Sequence, residues 1–303
     1  MKINYFSSDH ILDIPIRNSV GESSFWNNRD RTWNWIDQTG SIYKYSQDNN
    51  QLYEYKVNQR LGCITPTDDN NLLVAGEHQI FLIRGGKEHL LFDFKHEYEG
   101  MKFGDGHCDR QGRFILSNMY QDISKRNKYG NWYSFYKRRE NYSISYLNTP
   151  HLIIPNGSAF NAKGDIFYFC ETDTKYRRIF KCKYDIDEGV IYHIDLYIDL
   201  SDLNVGRPDG ASIDVDGCYW ISCLDEGMIL RITPNGNIDQ IFRTPMKKPT
   251  MCSFGGKDYR TLFITSLCRG ELDLQEDPYG GRCLIIETNY QGLPTPSFNI
   301  QGI

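Results

Sequence analysis

The chain has 303 residues and a formal net charge of -5 at pH 7, with 34 Lys and Arg against 39 Asp and Glu. This balance leaves no basic field for a phosphate backbone, so it argues against nucleic acid as a partner. Tyrosine and phenylalanine are abundant, at 21 and 16 residues, and aromatic side chains favour strands over helices. We therefore expect a mostly β protein that forms a single domain over residues 1–303.

Cysteine usage and hydropathy bear on the cellular setting. The nine cysteines are scattered along the chain without a Cys-x-x-Cys pair, which is typical of reduced thiols in the cytosol. The N-terminal segment lacks a continuous apolar run, and no stretch reaches the roughly 18 apolar residues that span a bilayer. The sequence predicts a soluble cytoplasmic protein, a monomer or homodimer, with no membrane partner.

One pattern of short apolar strands and turns recurs along the chain. Its second strands are the clearest, at residues 32–36, 72–75, 113–116, 166–169, 218–221 and 261–264. Third strands at residues 40–45, 79–83, 178–182 and 227–232 alternate with period two, as half-buried strands do. The spacing of roughly 40 to 50 residues is typical of propeller blades.

Six such units predict an all-β fold, a six-bladed β-propeller with four-stranded antiparallel blades and a metal site in the central channel. Small sheets cannot bury both faces alone, and a closed ring removes the exposed ends. We expect the N-terminal strands, residues 2–6 and 11–16, to complete the last blade and close the ring. A large two-sheet sandwich is the alternative, but regular recurrence of one hairpin argues against it.

The register of the first strands predicts which residues face one another across the channel. These strands align on a polar or glycine residue near their ends: Asn27, Asp109, Asn161, Asp214 and Gly255. Five residues earlier, the aligned positions hold Glu22, Gly104, Asn156, Asp209 and Thr250, and the looser second unit places Gly62 there. Because first strands line the channel of a propeller, these positions should converge.

Three of the aligned positions carry oxygen donors, which are Glu22, Asn156 and Asp209. Hard oxygen ligands suit a divalent cation such as Ca²⁺ or Mn²⁺, with Mg²⁺ as an alternative, and three protein ligands leave positions open for water and substrate. Zn²⁺ is also plausible, although it more often selects thiolate or imidazole ligands. The competing interpretation is that each residue only shapes a turn before its strand.

The same residues carry a family resemblance over nearly the whole chain. The sequences Gly-Glu-Ser-Ser-Phe-Trp at 21–26, Asn-Gly-Ser-Ala-Phe at 156–160 and Gly-Arg-Pro-Asp-Gly at 206–210 resemble the three metal-site motifs of the gluconolactonase, regucalcin and luciferin-regenerating enzyme family. The resemblance implies one divalent cation bound by Glu22, Asn156 and Asp209, with Ca²⁺ favoured, in an enzyme that hydrolyses sugar lactones or related esters. It further implies that Asp209 is both a ligand and the base that accepts a proton from water.

The chain departs from the family pattern where the resemblance places substrate-binding residues. Family members often have Arg-x-Asn-Asp-Gly where this chain has Lys102, Phe103, Gly104, Asp105 and Gly106. A point-charge Lys replaces a bidentate Arg, and Gly104 lacks the side chain of the usual Asn. We therefore expect Lys102, Gly104 and Asp105 to face an altered pocket, and hypothesise that it takes an anionic or bulkier lactone.

Two further functions stay open from the sequence. A propeller can bind a cation without catalysis, as a regucalcin-like binding or regulatory protein, because fold does not fix function. A condensing enzyme resembling strictosidine synthase is the other, although that resemblance lacks the full ligand triplet. His107 beside Cys108 suggests thiol catalysis, but Cys108 lies in the apolar stripe of a first strand and is expected to be core.

Overall fold

The computed structural model describes residues 2–303, which form six β-sheets. The first strand is β1 (Lys2–Tyr5). Blade one contains β2 (Gly21–Asn27), β3 (Thr32–Asp37), β4 (Ser41–Ser46) and β5 (Gln51–Lys56). Blade two contains β6 (Cys63–Pro66), β7 (Leu72–Ala75), β8 (Gln79–Arg84) and β9 (Lys87–Asp93). Blade three contains β10 (Met101–Cys108), β11 (Phe114–Tyr120), β12 (Asn131–Arg138) and β13 (Asn141–Tyr146).

The remaining blades follow the same order. Blade four contains β14 (Pro155–Phe160), β15 (Ile166–Glu171), β16 (Arg178–Asp185) and β17 (Val190–Asp199). Blade five contains β18 (Arg207–Ile213), β19 (Tyr219–Leu224), β20 (Met228–Ile232) and β21 (Ile238–Arg243). Blade six contains β22 (Pro249–Gly255), β23 (Thr261–Ser266) and β24 (Leu284–Glu287), with the short helix α1 (Glu271–Glu276) between the last two. Two 3₁₀ turns cover Ser8–His10 and Ile123–Lys125.

The six sheets close into a ring through their first strands. Each of β2, β6, β10, β14, β18 and β22 packs on the first strand of the next blade, and β22 packs back on β2. The predicted six-bladed propeller is therefore confirmed. Its second strands lie where the repeat placed them, and they are almost entirely buried between neighbouring blades.

A polar side chain holds the turn after the first strand in several blades, which explains why these strands align with one another in the sequence. The Oδ1 atom of Asn27 accepts the backbone N–H groups of Arg29 and Asp30, so it holds the turn after β2. Asp109, Asn161 and Asp214 hold the corresponding turns of blades three, four and five in the same way. Asn and Asp favour such turns because their side chains mimic a backbone acceptor. Four of the five alignment residues are thus structural anchors of the hairpins, and Gly255 is the exception.

A β-bulge interrupts the first strand of five blades at the aligned position. The pairing with the second strand shifts after Glu22, Phe103, Asn156, Pro208 and Pro249, and resumes three residues later in each blade. The short first strand of blade two pairs continuously with its neighbour. Since a bulge twists a strand and redirects a side chain, it explains how polar groups reach the channel from strands that are otherwise buried.

The N-terminal segment departs from the prediction. Strand β1 does not join the last blade but pairs in parallel with β21 of blade five, with Ile3 opposite Ile241. Phe6 stacks on Phe242 at 5.2 Å between ring centroids, and this apolar contact anchors the segment to blade five. The residues that follow lie against blade six: Ile11 bridges Leu284, Leu12 donates to the Cys283 carbonyl, and Arg282 donates to the carbonyls of Ile14 and Ile16. Blade five consequently has five strands, and blade six has three plus this bridge.

Two chain-wide features complete the fold. All nine cysteines are buried and unpaired, and most of them pack in the cores between blades. Within residues 2–303, no helix is both long and apolar enough to cross a membrane.

Candidate functional site

A cavity of about 920 Å³ opens at the end of the channel where the first strands begin. Five of the six aligned positions line it: Glu22, Gly62, Gly104, Asn156 and Asp209. The sixth, Thr250, is buried in blade six, where its hydroxyl bonds the Gly21 carbonyl and the hydroxyl of Thr265. Five of the six positions that the register aligns therefore meet at one cavity.

The structure brings the three predicted ligands together. The Nδ2 atom of Asn156 donates a hydrogen bond to Oδ1 of Asp209 at 2.7 Å. The carboxyl groups of Glu22 and Asp209 line the same cavity, and the charge of Asp209 acts on Glu22. Blades one, four and five thus contribute one oxygen-bearing side chain each to the same point of the channel floor.

Backbone conformation places these side chains. Gly157, directly after Asn156, has a φ of +71°, and a Cβ there would lie 2.5 Å from the hydroxyl oxygen of Tyr219. Gly206, three residues before Asp209, has a φ of +85°, and a Cβ there would collide with the carbonyl oxygen of Leu224. Only glycine adopts such backbone without strain or collision. The two glycines are therefore part of the local geometry that aims Asn156 and Asp209 at the channel.

Thr172, which the sequence did not point to, fixes the orientation of Asn156. Its hydroxyl accepts the second Nδ2 hydrogen of Asn156 at 2.9 Å and donates to the Pro208 carbonyl at 2.6 Å. Both amide hydrogens of Asn156 are thereby used, and its Oδ1 atom has no hydrogen-bond donor within residues 2–303. This acceptor belongs to a half-buried side chain that lines the cavity.

The carboxyl groups of the floor repel one another. Burial raises the pKa of Glu22 well above its ordinary value, and the charges of Asp209 and Asp105 raise it further. Burial likewise raises the pKa of Asp209 to about 8, although Arg207 opposes the shift. The raised pKa values favour the protonated forms of these two acids. Such a pair of buried acids is costly when ionised unless a cation compensates it.

This donor set fits a divalent cation. Two carboxylates and an unpartnered amide oxygen are the hard ligands that Ca²⁺, Mg²⁺ and Mn²⁺ take in proteins. Across the described residues there is no group of three or more His, Cys, Asp or Glu side chains placed to hold a metal ion. A cation on this floor would consequently depend on Asn156 as its third protein ligand, beside Glu22 and Asp209.

Asp105 lies beside this floor but is bonded to the protein. Its Oδ2 atom accepts the backbone N–H and the hydroxyl of Ser158 at 2.8 and 3.0 Å, and its Oδ1 atom accepts the N–H of Gly106. The bonds to Ser158 tie blade three to blade four, so Asp105 has a structural role in addition to the substrate contact predicted for it. Asp105 still lines the cavity, and its charge contributes to the raised pKa values of Glu22 and Asp209.

The other two predicted substrate positions also line the cavity. Lys102 donates from Nζ to Oε1 of Gln38 at 3.0 Å. Gly104 leaves little free space, because a Cβ there would lie 2.9 Å from the hydroxyl oxygen of Ser117. In this chain the Ser117 side chain therefore occupies the volume beside residue 104.

Residues that follow the second strands form much of the cavity wall, and they include Gln38, Gln121, Thr172, Asp225 and Arg269. Sequence reasoning missed all of these except Asp225, whose place at a strand end near the channel mouth makes it a candidate for substrate contact. Asp225 pairs with Arg207 through two bonds of 2.7 and 3.1 Å. Their common position after a second strand was a usable signal, because second strands end at the same edge of each blade as first strands begin.

His107 and Cys108 lie away from the floor. Cys108 is fully buried in an apolar cluster, and its thiol contacts the Thr65 hydroxyl at 3.2 Å. Burial raises the pKa of the Cys108 thiol, which opposes thiolate formation. His107 lines a separate small cavity of about 30 Å³, and burial lowers its pKa to about 3. The expectation that Cys108 is a core residue is met.

Known proteins are similar to this chain in sequence. Residues 20–268 match the family model described as the SMP-30/Gluconolactonase/LRE-like region. The chain is 27% identical over 288 residues to an L-arabinolactonase of Azospirillum brasilense, which covers 93% of each chain. It is 28% identical over 285 residues to a 6-deoxy-6-sulfogluconolactonase of Pseudomonas putida, which covers 92% of this chain and 94% of that one.

A solved structure is similar over the full length. The calcium-binding regucalcin of Agrobacterium tumefaciens superposes with a TM-score of 0.89 at 19% identity, and covers 99% of this chain and 100% of its own. At this identity the likeness concerns the fold alone.

Proposed function

Because the chain belongs to the SMP-30/gluconolactonase/LRE-like family, we propose that it is a lactone hydrolase whose substrate is a sugar lactone. We further propose that Glu22, Asn156 and Asp209 hold one divalent cation, with Ca²⁺ favoured. Two relatives that are named as lactonases match this chain along nearly their whole length, and they support the reaction class. The hard oxygen donors of Glu22, Asn156 and Asp209 support the choice of ion.

The observation that carries the proposal is the composition of the cavity floor. Two buried carboxyl groups with raised pKa values lie beside an amide oxygen that has no donor in the described chain. A merely structural cluster would satisfy these groups internally, because unpaired buried polar atoms are costly. Their arrangement at the floor of an open cavity therefore favours a ligand.

In the proposed reaction, water adds to the lactone carbonyl carbon, and the ring C–O bond breaks. A bound cation would supply Lewis-acid polarisation of the carbonyl and partial neutralisation of the floor carboxylates. Asp209 accepts one proton from the attacking water at its carboxylate. The ring oxygen leaves as a hydroxyl group after it takes up a proton, and the product acid then ionises, so each turnover releases one proton to solvent.

The chain's own contacts suit Asp209 to this role. Asn156 donates a hydrogen bond to its Oδ1 atom and so holds the carboxyl group in one orientation. Thr172 holds both Asn156 and the carbonyl of Pro208, the residue before Asp209. The positive charge of Arg207 opposes the shift that burial imposes on Asp209 and so favours the ionised form. Positioning of this kind is a large part of general-base catalysis.

The test is proton release from a panel of sugar lactones with Ca²⁺, Mn²⁺, Mg²⁺ or Zn²⁺, followed with a pH indicator. We expect turnover that a chelator abolishes, that added metal restores, and that Asp209→Ala loses. Tight metal binding without turnover of any lactone would instead favour the regucalcin-like alternative, a propeller that binds the ion without catalysis. Undiminished turnover by Asp209→Ala would remove Asp209 as the base.

A further inference from the structure

Acidic and basic side chains occupy different parts of the cavity. The acids Glu22, Asp105 and Asp209 lie on the floor, whereas the acids of the wall are already neutralised. Asp225 pairs with Arg207 at 2.7 Å, and Asp273 pairs with Lys248 at 2.7 Å. The net field of the wall is therefore set by the cations that remain.

Of the six cations that line the cavity, Arg17, Arg60, Lys102 and Arg269 have no carboxylate partner among residues 2–303. Among residues 2–303, no Asp or Glu oxygen lies within 4.0 Å of the charged nitrogens of Lys102, Arg60 or Arg269, and all three line the cavity. The guanidinium groups of Arg60 and Arg269 also donate no hydrogen bond inside the described chain, whereas Arg17 of the same wall donates to the backbone carbonyls of Pro278 and Gly280. Arg60 and Arg269 are exposed, so both are available to a ligand.

Lys102 is the buried member of this group. It is 8% exposed, and within residues 2–303 its ammonium group donates one hydrogen bond, to Gln38, although such a group has three donors. Burial lowers the pKa of Lys102, the charges of Arg60 and Arg269 act in the same direction and those of Glu22 and Glu77 oppose them, so that the pKa lies at about 8. All three cations line the same cavity, so their charges act on the same space for a ligand.

We propose that Lys102, Arg60 and Arg269 form a subsite for an anionic group on the substrate, a phosphate, sulfonate or carboxylate distant from the lactone carbonyl. This inference rests on the proposed lactone hydrolysis and names its substrate class, an anionic sugar lactone. Three cations without partners around one cavity repel one another, and an anion relieves that repulsion. Guanidinium groups match such oxyanions with two parallel hydrogen bonds, and Lys adds a point charge.

The order of the charges also orients the substrate. Lys102 is buried, whereas Arg60 and Arg269 are exposed, so the two arginines lie nearer the mouth of the cavity than Lys102 does. A lactone whose carbonyl faces Asp209 would extend its anionic end toward Arg60 and Arg269. The cavity has room for this, since its 920 Å³ is near the upper end of the roughly 300 to 1,000 Å³ of ordinary ligand pockets.

The test has a kinetic arm and a binding arm. The kinetic arm compares kcat/KM for gluconolactone and for gluconolactones that carry a 6-phosphate, a 6-sulfonate or a 6-carboxylate, in the wild type, Arg60→Gln and Arg269→Gln. Arg29→Gln is the matched control, because Arg29 is an exposed arginine in the turn after β2 and does not line the cavity. It removes the same charge from the protein without touching the subsite.

We expect the wild type to prefer at least one anionic lactone, and the ratio of anionic to neutral kcat/KM to fall about tenfold in each cavity variant, since a charge-assisted hydrogen bond is lost. Arg29→Gln should keep the wild-type ratio. Equal ratios in the wild type and both cavity variants would overturn the subsite. A ratio that falls equally in Arg29→Gln would also overturn it, because general charge attraction would then explain the preference.

The binding arm separates failure of the subsite from failure of the proposed reaction. Calorimetry measures the affinity of the open-chain acids, gluconate and 6-phosphogluconate, which bind without turnover, and of inorganic phosphate alone. Tighter binding of 6-phosphogluconate that Arg60→Gln weakens would support the subsite even if no lactone is opened. Equal affinity for the two acids, or inorganic phosphate bound as tightly as 6-phosphogluconate, would overturn it. Circular dichroism of each variant verifies that it is folded.

Discussion

The side-chain amide of Asn156 donates to the carboxylate of Asp209 at 2.7 Å, across the boundary between blades four and five. This bond joins two of the three proposed ligands before any ion is present. It also fixes the amide so that its oxygen is free for a ligand. The geometry of the floor therefore depends on the contacts that hold Asn156.

Thr172 is the residue that holds Asn156, and its removal should lower the reaction rate. Thr172→Val keeps the shape of the side chain but loses both the acceptor for Asn156 and the donor to the Pro208 carbonyl. We expect kcat to fall about tenfold with a smaller change in KM, because one hydrogen bond of about 1 kcal/mol or more orients the floor. Steady-state kinetics on a lactone that the wild type turns over measures this.

Thr172→Ser is the control for that variant, because it retains the hydroxyl and removes only a methyl group. Its kcat and its pH–rate profile should lie close to those of the wild type. If Thr172→Val lowers stability alone and leaves kcat and the pH–rate profile intact, Thr172 is structural and does not position the floor.

The stability of the metal-free protein should depend on pH through Asp209. Burial raises its pKa from 3.8 to about 8, so the folded state binds a proton that the unfolded state releases above pH 4. The stabilisation that protonated Asp209 provides is present below pH 4 and is lost as the pH rises toward 8. We expect the wild type in chelator to lose more thermal stability between pH 5 and pH 8 than Asp209→Asn, whose side chain stays neutral.

The comparison with Asp209→Asn is needed because buried histidines titrate in the opposite sense. Burial lowers the pKa of His96 to about 4, so that group destabilises the folded state at acid pH in both proteins alike. Thermal unfolding of the two proteins across this range isolates the effect of Asp209. Parallel stability curves for the two proteins would contradict the raised pKa.

The repeat and its register could be predicted from the sequence because the same residues hold the turns and set the alignment. Asn27, Asp109, Asn161 and Asp214 each accept backbone N–H groups after a first strand. A residue five positions earlier then lies at the same height in its own blade. This local regularity is why the sequence alone predicted residues that line the cavity floor.

Asp214 should be the most costly of these anchors to remove. It is fully buried and accepts bonds from Trp220 at 2.9 Å and from Arg231 at 2.8 Å. Asp214→Ala leaves Arg231 without its buried partner, so we expect a loss of about 3 to 5 kcal/mol in the free energy of unfolding. Denaturant unfolding measures it.

Asp216 provides the comparison, because it pairs with the same Arg231 at 2.8 Å but its side chain is 68% exposed. Asp216→Ala should cost less than about 1 kcal/mol, as exposed ion pairs do. Similar losses in the free energy of unfolding for the two variants would mean that burial of Asp214 does not strengthen its contribution to stability.

The features that sequence reasoning missed depend on contacts between distant segments. Strand β1 pairs with β21, about 240 residues away. Blades five and six both contain apolar strands, so the sequence did not distinguish which of them β1 would join. The bonds of Asp105 to Ser158 join two blades, and no local pattern distinguishes them from a substrate contact. Arg60 and Arg269 lie outside any strand and belong to no repeated motif, so only the closed ring brings them to Lys102.

The most direct test of the proposed function is a parallel titration of the metal-free protein with Ca²⁺, in which binding is followed by calorimetry and lactone opening by proton release. The proposed site predicts one ion per chain and activity that rises with the same half-saturation as binding. In Asp209→Ala, both should be lost together. Activity that persists in chelator, or saturation of binding without any activity, would contradict a cation on Glu22, Asn156 and Asp209 that serves lactone hydrolysis.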